Sequence, residues 1–589
     1  MSAATLRRAV PPSDPLLTSS STILWLKVLL SALLLVLLYV RYAKRDTAAP
    51  TPKAHPFGVK ASIVFMVIFS CAVFYSFGNP RSPTFVHYGE MFHYYLGPKY
   101  FHELGYHELY NAVIAADAEQ DGALAGIPFY TDLTTYQNAS RETALAHADS
   151  VKKRFSEERW SAFKQDVDFF KKETGKPGRP ALFLFLMDHG YNASPVSTLV
   201  LGMLTNVVPV TQLKLLALVD VFLVAAMIGL VFRTFHLLMG GLFSVYFFLN
   251  ILNDHGYISG GLLRYDWLLC VVAAVCLLER GRNASAAFFL TAAAMLKLFP
   301  AVLLYGVGVT IVQRVATART VDRDSKRFVL AAAATALSLF LLPAIYLGSV
   351  LQPWQEFGEK TALHDRGVYV NHLGLRGVLL FEPSHLSLER FIETFKSGAS
   401  GDIVRNWQDA KEHEFEMKRP MVVACSLLIL ALVTAIIWKR RAPASESVLW
   451  PLPLIYVASY PSHYYYAFLC LFILLFFRRP SSLGSFVPIC LLLLFNIAAL
   501  VTDSFGPSPI VFYTLANAYL FVCLAAILGF GLYDAFRQTP ETTIAQEPVA
   551  NLPARKGPAK RERGKGRKRS LRRVWTGLRF DGTRRAVVT

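Results

Sequence analysis

Residues 84–95 read TFVHYGEMFHYY, so a single acid, Glu90, stands among aromatic rings and two histidines directly after a long apolar run. A carboxylate held where a membrane helix meets water can ionise, while the apolar surface beside it can hold a lipid tail. That placement points to chemistry on a lipid-linked substrate rather than simple anchoring. A second candidate is Lys297, in the middle of the apolar run 284–312 and three residues before Pro300. An ionisable side chain inside a membrane segment is a functional candidate by default. Lys297 admits two readings: an ammonium snorkelling to the interface, or a cation facing a phosphate or other anion. Arg264 and Asp266 flank Tyr265 at the end of another apolar run. Two positions apart, they do not face each other along a helix, so Asp266 is expected to bond a neighbouring helix end or Lys297. His463, in the stretch SYPSHYYY at 459–466, interrupts a further run. It could hold a phosphate or donate a proton, and the alternative is a structural helix cap.

The letters DHGY occur twice, at 188–191 and 254–257, and a looser HDRG lies at 364–367. Asp and His together could bind a divalent metal, but no HExxH or comparable spacing supports one. Hydrogen-bonded loop residues at the mouth of a cavity are the expected role, with no metal and no cofactor assigned. P-loop, GxGxxG and GxSxG patterns are missing too, which disfavours soluble nucleotide chemistry.

The elements that must position these residues are membrane helices. The chain has 589 residues, 54% of them hydrophobic and only 17% charged, with a mean hydropathy of +0.38; soluble proteins carry nearer a quarter charged residues. Apolar runs at 22–40, 58–77, 213–232, 328–347, 421–438, 486–500 and 511–530 approach or reach the roughly 20 residues that span hydrocarbon. Shorter or interrupted runs lie at 196–210, 237–252, 267–278, 284–312, 448–459 and 464–477. Backbone polar groups cannot go unpaired in lipid, so these runs are helices. The fold class is an all-α polytopic membrane protein.

The net charge of +19 is concentrated at one end, where residues 555–589 hold 14 Lys and Arg against Glu562 and Asp581. Such a tail is expected to lie near anionic lipid headgroups, not to mark a nucleic-acid-binding protein. The seven cysteines all fall in apolar runs without a CxxC pair, which implies neither a disulfide framework nor a cysteine metal site. The first apolar run is long and lacks a small-residue cleavage site, so it reads as a retained helix.

Lys and Arg crowd the short connections 41–60, 279–282, 314–327, 439–441 and 478–479 and the tail, which marks these as cytoplasmic. The long segments 78–190 and 348–419 are left for the external side. Within the first, the charged stretch 143–172 is expected to form a small helical domain. Between that loop and Glu279 stand four apolar runs where an odd number must cross, so 196–210 is assigned as a short re-entrant helix. Pro300 breaks the hydrogen-bond ladder of the 284–312 run, giving two half-depth helices whose break, at Lys297, enters a cavity.

Taken in order, these elements resemble a family. An early acid in the first external loop is followed by Leu109-Tyr110, Tyr191-Asn-Ala-Ser-Pro195, Arg264-Tyr-Asp266, a basic turn at 279–282, Lys297-Leu-Phe-Pro300, Asn371-His-Leu-Gly-Leu375 and Ser462-His463-Tyr464. This is similar to polytopic GT-C glycosyltransferases, particularly bacterial glycosyltransferase family 87 with its mannosyl- and arabinofuranosyltransferases. The likeness covers roughly residues 58–535. Residues 1–57, an extra helix with a basic connection, and 536–589, a basic tail, fall outside it, as does the insertion 117–176.

The resemblance implies about 12–14 transmembrane or half-membrane helices, two large external loops, and inverting sugar transfer from a polyprenyl-phosphate donor to a glycolipid or glycan acceptor. It implies an inner-membrane, multi-pass protein with its active site on the periplasmic side and its tail in the cytoplasm. Glu90 stands where the family usually has Asp and would be the base, with Glu103, Glu108, Asp117 and Asp132 as rivals. Lys297, Arg264 and His463 would hold the donor phosphate, and His93, Tyr94, Tyr191, Asp266, Asn371 and Tyr464 would line the substrate site. Independently of the family, sugar transfer needs a carboxylate to take the acceptor proton and cations to stabilise the departing phosphate. A flippase or transporter of lipid-linked glycans is the alternative, and a scaffold acting through its basic tail a third.

Overall fold

A chain this apolar satisfies its backbone by coiling, and in the computed structural model nearly every apolar run is helical. The structure describes residues 20–43, 57–78, 85–127, 129–176, 181–253, 259–369, 371–382, 400–476, 483–507 and 509–537. The basic tail, the DHGY repeat at 254–257 and the basic pair at 478–479 lie outside these residues. Among those described, eight helices are long and apolar enough to cross a membrane: Ser21–Val40, Phe57–Phe74, Val210–Thr234, Phe299–Ala318, Arg323–Leu347, Lys411–Arg440, Leu483–Ser504 and Val511–Arg537. Shorter apolar helices lie at Pro195–Val207, Leu237–Leu249, Asn283–Leu296 and His463–Leu475. Large apolar side chains such as Phe65, Phe222, Leu330, Leu427 and Val522 point outward from the long helices. An apolar surface of this kind suits lipid rather than water. The protein is therefore an all-α polytopic membrane protein.

Two apolar cores organise it. The membrane core gathers Leu242, Phe247, Val271, Leu290, Trp450, Phe472 and Leu492 from many helices. Within it Asn283–Leu296 packs between Asp266–Glu279 and Arg323–Leu341, and Leu483–Ser504 packs on both Ser20–Ala43 and Pro509–Arg537. The second core is a loop layer built from 86–217 with Leu262, Leu347 and Phe357. Among the described residues its one sheet is a hairpin, Tyr130–Asp132 antiparallel to Gln137–Ala139.

Three sequence expectations are refined by these packings. The stretch 143–172 is helical, but it is no separate domain. In Glu157–Thr174 the apolar residues Trp160, Phe163, Val167 and Phe170 fall on one helical face and enter the same core as Tyr100 and Leu104. The break at Lys297 is present, with extended backbone there (φ −139°, ψ 130°). Its second half, however, runs 20 residues from Phe299 to Ala318 and is long enough to span; only the first half is short. The re-entrant assignment rested on crossing parity, and helix length does not single out which run turns back. Pro195–Val207 and Leu237–Leu249 both have 13 residues, about 20 Å at 1.5 Å per residue.

Candidate active site

Glu90 lies in the short helix Tyr88–Met91, entered through His87, whose Nδ1 accepts the Glu90 N–H at 3.1 Å. The chain continues as a π-helical turn, Phe92–Leu96, a distortion that recurs at functional sites because it re-aims side chains. The approach of this segment to the membrane core is set by one glycine. The His87 N–H donates to Gly260 O at 3.0 Å. Gly260 has φ +76°, and a Cβ there would stand 2.5 Å from Phe85 O, so only glycine lets the two backbones touch.

Four residues after that contact comes Arg264, and its guanidinium pairs with the Glu90 carboxylate. The Arg264 side chain is 4% exposed and that of Glu90 19%. Arg264 is fixed from behind. Its N–H donates to both oxygens of buried Asp220, at 2.8 and 3.0 Å, and the Tyr265 N–H donates to the same carboxylate at 3.3 Å. In front, the guanidinium lies 4.9 Å from the Tyr94 ring centre and 5.1 Å from that of Tyr464, and Nη1 donates to Tyr464 Oη at 3.5 Å. Lys297 Nζ reaches the same aromatic box, 6.0 Å from Tyr94 and 5.5 Å from Tyr465. Among the described residues no carboxylate pairs directly with Lys297; Asp266, at the head of Asp266–Glu279, attracts it through space. One acid and two cations from three separate chain segments thus share one tyrosine-lined box.

The remaining residues singled out from the sequence sit around this box in different ways. His463 is buried next to Tyr464, but its Nδ1 lies 3.3 Å from both Asn371 O and Tyr513 Oη. The His463 N–H also donates to Asn371 O at 2.9 Å. Asn371 and His463 therefore lock two loops together beside the box. Tyr191 lies behind Tyr94 and is a packing residue: its hydroxyl bonds Thr198 Oγ1 at 2.8 Å, and its ring fills the space left by Gly97. The rival acids are engaged elsewhere. Glu103 bonds Arg159 Nε at 2.6 Å, Glu108 bonds Asn111 and Arg154, Asp117 is fully buried against Lys171, and Asp132 closes its own turn at Thr134.

His93, one turn beyond Glu90, faces a second cluster. Its Nε2 is 2.8 Å from Tyr110 Oη and 3.2 Å from Phe185 O, and its Nδ1 lies 4.0 Å from Asp188 Oδ2. Tyr110 Oη also donates to Phe185 O at 2.7 Å, so the Leu109-Tyr110 element braces the chain leading to Asp188. The Asp188 carboxylate lies beside His93 and His189, and 62% of its side chain is open. Burial works to raise its pKa, but the hydrogen bond to His189 and the field of His93 outweigh it and hold the carboxyl below the usual range. Rings crowd its neighbour: His189 is 4.6 Å from Tyr136, 5.3 Å from His364 and 4.7 Å from Tyr369. Burial, then the neighbouring His189, pushes His364 down to about 3, and burial pushes the Lys360 ammonium down to about 7.

Sequence reading undervalued Asp188, Tyr136, Lys360, Tyr369 and Tyr465. The available signal was the recurrence of DHGY and HDRG, since His189 of one motif meets His364 of the other. No group of three or more metal-ligating side chains forms among the described residues. Comparison with known family models, characterised proteins and solved structures gives no match.

Proposed function

We propose that this protein is a membrane glycosyltransferase of the GT-C kind, moving a sugar, mannose or arabinofuranose, from a polyprenyl-phosphate donor to a lipid-linked or cell-envelope glycan. The observation that carries the reading is the meeting of Glu90 with Arg264 and Lys297 in a tyrosine box, beside a helix break and at the junction of the membrane core with the loop layer. The donor phosphate would lie between Arg264 and Lys297, with its lipid tail along the apolar helices. In the step itself the acceptor hydroxyl attacks the anomeric carbon. The bond from that carbon to the phosphate oxygen breaks, and its electron pair leaves with the polyprenyl phosphate. The hydroxyl proton passes to Glu90, and the anomeric centre inverts.

The Arg264–Glu90 pair gives this scheme an order of events. While paired with a guanidinium, Glu90 is a poor base, because the nearby positive charge favours its ionised form. An incoming phosphate competes for the same guanidinium, which loosens Glu90 as the donor arrives. The bacterial inner membrane, with this box on the periplasmic face and the tail in the cytoplasm, is the proposed setting.

The paired acid and arginine also suit a second reading, a flippase of lipid-linked glycans in which the pair closes a gate. Purified protein in lipid, offered radiolabelled polyprenyl-phosphate sugars and crude glycolipid, separates the two. Transfer of label to the acceptor, lost in Lys297→Met, supports the enzyme. Movement of intact donor across the bilayer without transfer supports the flippase and overturns the enzyme.

A further inference from the structure

We infer that the cup around Asp188 is a second binding subsite, specific for a neutral sugar residue of the acceptor; as a statement about the acceptor, it rests on the glycosyltransfer reading. The two halves of the site differ in charge. Arg264 and Lys297 make the Glu90 half cationic and suited to a phosphate. The other half carries the Asp188 carboxylate, 62% open, beside His93 and His189, with the buried Lys360 nearby. A carboxylate repels phosphate but accepts hydrogen bonds from vicinal hydroxyls, and Tyr136 and His189 meet edge to face beside it.

Two further observations point to a ligand. The Tyr136 hydroxyl and His364 Nδ1 are shut off from solvent and make no hydrogen bond with the protein, a condition that destabilises a buried polar group. Tyr136 also sits at φ +58°, in the turn of the Tyr130–Ala139 hairpin. A tyrosine rarely adopts that conformation, and such strain concentrates at ligand clamps. Both groups lie within the field of the Asp188 carboxylate. His93 links the halves, since it contacts Asp188 and stands three residues from Glu90 on the same helical stretch.

The test is saturation-transfer NMR on the full-length protein in nanodiscs, with methyl mannoside and methyl arabinofuranoside as probes. The expected result is binding of at least one glycoside, weakened roughly tenfold or more in Asp188→Asn, in line with loss of hydrogen bonds to a charged group. Tyr136→Phe removes a hydroxyl without a protein partner, leaves the fold intact, and is expected to weaken binding roughly threefold. Glu90→Gln is expected to retain it. The proposal is overturned if neither glycoside binds the native chain, if both cup variants bind like native, or if Glu90→Gln alone abolishes binding. Failure of the enzyme reading looks different: label transfer is missing while glycoside binding still depends on Asp188.

Discussion

Gly260→Ala is a direct perturbation of the contact that brings Glu90 to Arg264. The added Cβ would stand 2.5 Å from Phe85 O and 2.8 Å from His87 N, both backbone atoms, where ordinary contact begins at 3.4 Å. The 85–95 segment must therefore retreat by about 1 Å, a displacement of the size that costs roughly 100-fold in rate when it misplaces a catalytic group. The His87-to-Gly260 hydrogen bond weakens at the same time, and alanine at φ +76° adds about 1–2 kcal/mol of backbone strain. Gly281→Ala is the matched control. Its φ of +69° carries similar strain, but nothing lies within 4 Å of the new Cβ. Both variants should melt a few degrees lower, and only Gly260→Ala should lose sugar transfer by roughly two orders of magnitude. Equal transfer by the two variants would refute the argument that this backbone contact sets the site.

Lys360 should impose a pH dependence on stability. Burial holds its folded pKa at about 7 against an ordinary 10.5. Between these values the unfolded chain binds a proton that the folded chain does not, so stability rises with pH across the window. The cost of a buried ammonium is fully present below about 7 and gone above about 10, a span on the order of 5 kcal/mol. Thermal melts of Lys360→Met and native protein from pH 6 to about 10 check this: the native-minus-variant difference should rise with pH, and a flat difference would count against it. Glu103→Gln leaves Arg159 without its carboxylate in a partly buried pair and should lower stability by about 2 kcal/mol. Transfer per folded molecule should be unchanged in that variant, and a large loss would return Glu103 to the list of candidate bases.

Lipid imposes length and apolarity on every spanning helix, which is why the membrane helices were legible from composition and run length alone. The break at Lys297 was legible for a local reason, a proline in an apolar run. The Glu90–Arg264 pair was not, because its geometry comes from distant parts: a hydrogen bond to Gly260, and Asp220 gripping two backbone N–H groups from another helix. The sequence could name Glu103, Glu108 and Asp117 as rivals but could not show that Arg159, Arg154 and Lys171 already occupy them. The 143–172 stretch read as a separate domain because its charge dominates, although a single apolar face at helical spacing was enough to bind it to the loop layer. Asp188 was read only as a hydrogen-bonded loop residue because its exposure leaves no mark on local sequence.

The central claim is that Glu90 takes the acceptor proton. Its most direct test is sugar transfer by purified protein in lipid, comparing native with Glu90→Gln while donor binding is followed separately. With Glu90 as the base, turnover of the variant falls roughly 100-fold to 10,000-fold with donor still bound. Undiminished turnover by a folded Glu90→Gln protein would contradict it.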